Sequence, residues 1–163
     1  MFKRLWLKSY LQTIQNSVGS NLFRNFYIED SGQERDVFQN GELSSAYYVS
    51  AILNLFDQQK KPHATVSSTV KDLLEHGWQE LKFSAQSDLE SGDILRFKEQ
   101  EFPEEPGVLH EHLGFFIGPN QLISNSYKTR TPQSAKLNLE ERKITHVYRG
   151  QEQINQLSQP EEK

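Results

Sequence analysis

Two segments limit what this chain can fold into more than any others. Gly41 to Leu53 reads GELSSAYYVSAIL, and His110 to Gly118 reads HEHLGFFIG. In the first, Ala46, Val49, Ile52, Leu53 and Phe56 recur at intervals of three and four residues. That spacing predicts an amphipathic helix over 45–58 with one buried face. In the second, an apolar run from His112 to Ile117 predicts a strand, which Gly118-Pro119-Asn120 turns into Gln121 to Ser124, a hairpin at the centre of a sheet. Ser45 opens the helix and His112 opens the strand. A hydroxyl at a helix start and an imidazole at a strand start can form a nucleophile–base pair.

The remaining elements follow from similar signals. Phe2, Leu5, Trp6, Tyr10 and Ile14 sit close to helical spacing over 2–16, and Gly19 marks the break that follows. Residues 21–28 are ambiguous between helix and strand, and Glu29 to Gly41 reads as a polar loop. Ser44 is a candidate N-cap for the long helix, and Lys60-Lys61-Pro62 closes that segment. Thr65 to His76 predicts a second helix with the stripe Val66, Val70, Leu73 and Leu74, and Gly77 suits the position after its end. Trp78 anchors the exit into a short extended segment. Residues 93–98 and 143–148 alternate as strands. Glu99 to Glu111, rich in glutamate with Pro103 and Pro106, is expected to be an exposed loop, and 126–136 a polar one. Helices come first and strands later, which is an α+β layout. Residues 1–150 are expected to form one domain, and 151–163, rich in Gln and Glu, a flexible polar tail.

Composition removes several function classes. The net charge is -4 with a pI near 5.7, and no run of Lys and Arg supplies the local basic surface that nucleic acid needs, so no nucleic-acid partner is expected. The chain has no cysteine, which removes disulfides, thiolate metal sites and thiol catalysis. Lys8, Gln12 and Gln15 interrupt the N-terminal apolar residues. Neither a signal peptide nor stable membrane insertion is expected, and cytoplasmic residence is the default. Gly-rich phosphate loops, CxxC, HExxH and EF-hand patterns are absent, so no cofactor is expected. His63, His76 and His146 are scattered without carboxylates at ligand spacing, so no metal is expected either.

Four motifs in order, NGELSSAYYVSAIL, SGDILRF, HLGFFIG and LISNS, span Asn40 to Ser126. In them the chain resembles the papain-like NlpC/P60 superfamily, in its divergent amidase-like branch. The resemblance implies a papain-like α+β fold with a central helix packed on an antiparallel sheet. It also implies a cysteine peptidase or amidase acting on a peptide or amide bond, or a related acyltransferase. Ser45 falls at the position of the family's cysteine nucleophile, His112 at that of the general base, and Asn125 at that of the polar residue orienting the base. Ser124 and Ser126 are the alternatives for the third role, since alternation puts Ser124 and Asn125 on opposite faces. His110 is the rival base. A helix start lowers a thiol pKa and offers N–H groups to an oxyanion; a serine hydroxyl gains less and needs a well-aligned base. Asp93 is expected to be structural in its turn, Trp78 and Phe115 to be core, and Tyr47 and Tyr48 to line the cleft or pack the helix on the sheet.

Three functions compete. The first is an amide or peptide hydrolase whose nucleophile position holds Ser45 in an inactive or degenerate site. The second is a non-catalytic binding protein that keeps the cleft, with the acidic stretch Glu99 to Glu111 as a candidate protein-partner surface. The third is an unrelated α+β domain. Geometry around Ser45 and His112 separates the third from the first two, and the reactivity of a cysteine placed at 45 helps separate the first from the second.

Overall fold

The computed structural model describes residues 2–157. The chain runs through α1 (Trp6–Asn16), β1 (Tyr27–Asp30), β2 (Gln33–Asp36), α2 (Ser45–Asn54), α3 (Val66–Glu75), β3 (Gln79–Leu81), β4 (Ile94–Phe102), β5 (Glu105–Phe116), β6 (Gln121–Ser126), β7 (Thr131–Lys136), β8 (Ile144–Arg149) and α4 (Gln151–Leu157). β1 and β2 form a separate hairpin, and the other strands form a 6-stranded sheet in the order β3-β8-β4-β5-β6-β7, with every neighbouring pair antiparallel. This is an α+β fold with helices packed against an antiparallel sheet. Among the described residues no helix is long and apolar enough to cross a membrane.

Alternation along the strands gives the sheet two differently covered faces. Ile94, Leu113, Phe115, Ile123 and Tyr148 face the helices and join Tyr10, Tyr48, Val49, Ile52 and Leu53 in the main core. Leu95, Phe97, Phe116 and Val147 point the other way, where Leu89 and Leu137 cover them. Phe115 is the hub of the helix side: its ring meets Tyr10 and Tyr48 edge-on, with centroids 5.9 and 5.5 Å apart. Burying each such side chain is worth roughly 1.5–3 kcal/mol. Tyr48 is thereby fixed in the core, and Tyr47 packs on Phe26 and Phe38; both hold α2 in place, and neither lines the cleft described below.

Four stretches expected to be loop or tail carry regular structure. Glu99 to Glu111 is a ribbon continuing β4 and β5, with irregular register between Phe97 and Gln100. Its polar side chains obscure the strand because nothing packs on most of it. β7 and the β1–β2 hairpin are polar for the same reason, although the turn Ser31-Gly32, both residues with positive φ, is the kind of two-residue connection that favours a hairpin. The polar stretch from residue 151 begins as α4 because Gln153 is fully buried, its Nε2 donating to Ser91 O (2.9 Å) and Asp93 Oδ1 (3.0 Å). The rest of the expected tail, 158–163, lies outside the described residues.

α3 starts at Thr65, whose hydroxyl accepts the Ser68 N–H at 3.2 Å, and ends at Gly77 with φ of 81°. Trp78 is buried and donates Nε1–H to Gln58 Oε1 at 3.0 Å. His63 and His76, scattered in sequence, converge on buried Asp72. His63 Nε2 lies 2.7 Å from Oδ2 and His76 Nδ1 lies 3.0 Å from Oδ1, while the Lys60 N–H donates to Oδ2 at 2.9 Å. Burial alone would raise the Asp72 pKa, but the His63 hydrogen bond, the Lys60 N–H and the charge of His76 outweigh it and hold it below the usual carboxylate value. The stabilisation linked to this lowered pKa is full above the unfolded value of about 3.9 and is lost as pH falls through the folded one. Asp72→Asn is expected to cost about 1–3 kcal/mol at neutral pH, with the gap to wild type shrinking below about pH 4. Urea unfolding across that range checks it; a gap that stays constant contradicts the linkage.

Candidate functional site

The approach to α2 is built by its preceding loop. Asp36 accepts N–H groups from Phe26 (3.0 Å), Phe38 (3.1 Å) and Asn40 (2.8 Å). Gln39, Asn40 and Gly41 all take positive φ, turning the chain sharply into the helix. Ser44 occupies the N-cap position but does not cap the helix; its hydroxyl donates back to Gly41 O at 3.4 Å. Ser45, the first helical residue, is half-buried, and among the described residues no hydrogen bond engages its hydroxyl.

β5 and β6 are paired only at Phe115–Ile123 and Phe116–Leu122. Beyond that point they part, because β5 continues with β4 as the ribbon while β6 stays with β7. A cleft of about 690 Å³ opens in the gap, and Ser45, Thr65, His112, Ser124, Asn125 and Arg142 are among its lining residues. The expected residues thus share one cleft.

No hydrogen bond joins Ser45, His112 and Asn125 to one another. His112 lies opposite Phe97 in the β4–β5 register, with ring centroids 5.7 Å apart, and Phe97 belongs to the face turned away from α2. Its neighbour Leu113 belongs to the face that α2 covers. The His112 side chain therefore leaves β5 on the face opposite Leu113, and no hydrogen bond links it to Ser45. Burial first, and the Arg142 charge second, push the His112 pKa down to about 3. The ring is neutral at pH 7, the form that can accept a proton, and is a weaker base than a free imidazole. His110, the rival, is committed to the cleft wall: Nε2 lies 2.8 Å from Glu105 Oε2, and its ring stacks on Phe102 at 4.1 Å.

Asn125 is not bonded to His112. It is 3% exposed and donates Nδ2–H to Gly41 O at 2.8 Å, tying β6 to the loop before α2. Alternation puts it with Ile123 on the helix side, and Ser124 takes the His112 side, close to Gly114. Ser126 Oγ accepts the Thr129 N–H at 3.3 Å. Asn125 Oδ1 is buried without a donor. Asp93 is structural as expected, fully buried and held by Arg149, Gln153 and the Glu90 N–H. Arg142 escaped the sequence because nothing in Glu140-Glu141-Arg142-Lys143 differs from ordinary surface composition. Only the fold brings it over the Phe97 ring, 5.5 Å from the centroid, and next to His112.

Comparison with known proteins supports a fold relationship. No family model matches the chain, and no curated protein matches it. A solved structure it is similar to is that of NlpC2 from Trichomonas vaginalis, with a TM-score of 0.54 at 15% identity. The match covers 90% of this chain and 47% of that one, so this chain spans about half the length of that protein. At this identity the likeness concerns the fold alone; this chain contains no cysteine.

Proposed function

We propose that this protein is an NlpC/P60-like cleft that binds a peptide or other amide-containing ligand and does not cleave it through Ser45. The observation that supports this is that no hydrogen bond joins the pair. Ser45 has no base bonded to it, and His112 faces Phe97 and Arg142 with its pKa held near 3. A serine hydroxyl without an aligned base keeps its proton near neutral pH. The cleft nonetheless retains groups suited to an amide: Asn125 Oδ1 accepts no hydrogen bond, and the uncapped start of α2 carries backbone N–H donors.

A cysteine placed at 45 tests this directly. In Ser45→Cys, the thiol is expected to titrate at or somewhat below the free value of about 8.5, because the helix start favours the thiolate. Adding His112→Ala is expected to leave that midpoint unchanged. The measurement is the pH profile of iodoacetamide alkylation with and without His112. A midpoint that moves by a unit or more would establish a nucleophile–base pair, and a hydrolase acting through residue 45 and His112 would then be the better description.

A further inference from the structure

The cleft contains a cation that the fold leaves unsatisfied. Arg142 Nε and Nη2 are buried and have no hydrogen-bond partner among the described residues. A charged donor left this way is costly, and native structures rarely carry one without an acceptor. Burial lowers the Arg142 pKa to about 10, so the group stays protonated at neutral pH. It is held in place by the Phe97 ring beneath the guanidinium and by its own backbone N–H, which donates to Asn138 O at 3.2 Å.

The acidic residues of the cleft do not neutralise it. Glu42 pairs with Arg130 at 2.7 Å, and Glu111 pairs with Arg96. Glu99 and Glu141 are exposed at the rim, opposed by exposed Lys128, and exposed charges act weakly through water and salt. We propose that Arg142 is the carboxylate-binding residue of this cleft, and that its ligand is a peptide carrying a free carboxylate. Arginine's planar fork matches a carboxylate with two parallel hydrogen bonds. The inference rests on the binding function proposed above and adds the ligand's charge to it.

The test uses N-acetylglycylglycine and its C-terminal amide as matched probes on the ¹⁵N-labelled protein. The acid is expected to shift the Arg142 Nε–H resonance and to bind at least about tenfold more tightly than the amide. Arg142→Met is expected to abolish that preference and to melt no lower than wild type, because it removes an uncompensated buried charge. Arg142→Lys is expected to keep part of the preference, having the charge without the fork. The proposal is overturned if acid and amide bind alike, if neither binds at millimolar concentration, or if Arg142→Met keeps the preference. A lower melting point for Arg142→Met with the preference intact would mark the residue as part of the wall only. The alkylation profile compares residue 45 with and without His112, whereas the probe pair compares acid with amide at Arg142, so failure here and failure of the binding function are told apart. Equal binding of both probes leaves the latter standing.

Discussion

Asp93→Ala is expected to destabilise the protein by about 3–5 kcal/mol, the cost of stranding a buried charge. Asp93 is fully buried where β4 begins. Oδ1 accepts from Arg149 Nε (2.8 Å) and Gln153 Nε2 (3.0 Å), and Oδ2 accepts from Arg149 Nη2 (2.7 Å) and the Glu90 N–H (2.8 Å). One carboxylate therefore joins β4, β8, α4 and the preceding turn. Removing it leaves Arg149, 18% exposed in its side chain, without its counter-charge, and takes from Gln153 one of its two acceptors. For a chain of this length the melting temperature is expected to fall by roughly 6–20 °C. Arg149→Met added to Asp93→Ala should recover part of the loss, since the stranded cation is gone. Thermal and urea unfolding of both variants decide the matter; a loss under about 1 kcal/mol for Asp93→Ala would mean that the network contributes little.

Gly41→Ala is expected to cost about 2–4 kcal/mol, through backbone strain and steric overlap together. Gly41 has φ of 95°, and a Cβ there would stand 2.7 Å from Arg130 O and 2.9 Å from Arg130 Cβ. The obstacle includes backbone, so a side-chain rotation cannot relieve it. The loop must move away from Arg130 in the turn before β7, and with it the Gly41 carbonyl that receives Asn125 Nδ2–H. The variant should therefore perturb Asn125 as well as lower stability. Urea unfolding with the Asn125 side-chain amide resonances as a second readout measures both, and wild-type stability would refute the close contact.

Much of the fold was legible in the sequence because local burial leaves a periodic trace. Ala46, Val49, Ile52 and Leu53 are all buried, as their spacing predicts. Ile94, Leu95 and Phe97 are buried on alternate faces of one strand, as are Leu113 and Phe116. Thr65 and Gly77 mark the ends of α3 by local backbone chemistry alone. The ribbon over 99–111, β7 and the β1–β2 hairpin left little such trace, because most of their side chains face water. α4 left none, since its anchor, Gln153, is polar and its partner Asp93 is 60 residues away.

The candidate site divides in the same way. Ser45 at a helix start and His112 in a strand were determined by the sequence, and both do line the cleft. Which face of the strand looks at the helix was decided by packing. α2 covers Leu113 and Phe115, so the residues between and before them, Gly114 and His112, turn to the other side. The same parity separates Asn125 from Ser124 and commits its amide to Gly41. Arg142 joins the site through a loop that folds back over Phe97. A contact of that kind is set by the tertiary arrangement, because no local periodicity encodes which ring a distant guanidinium will cover.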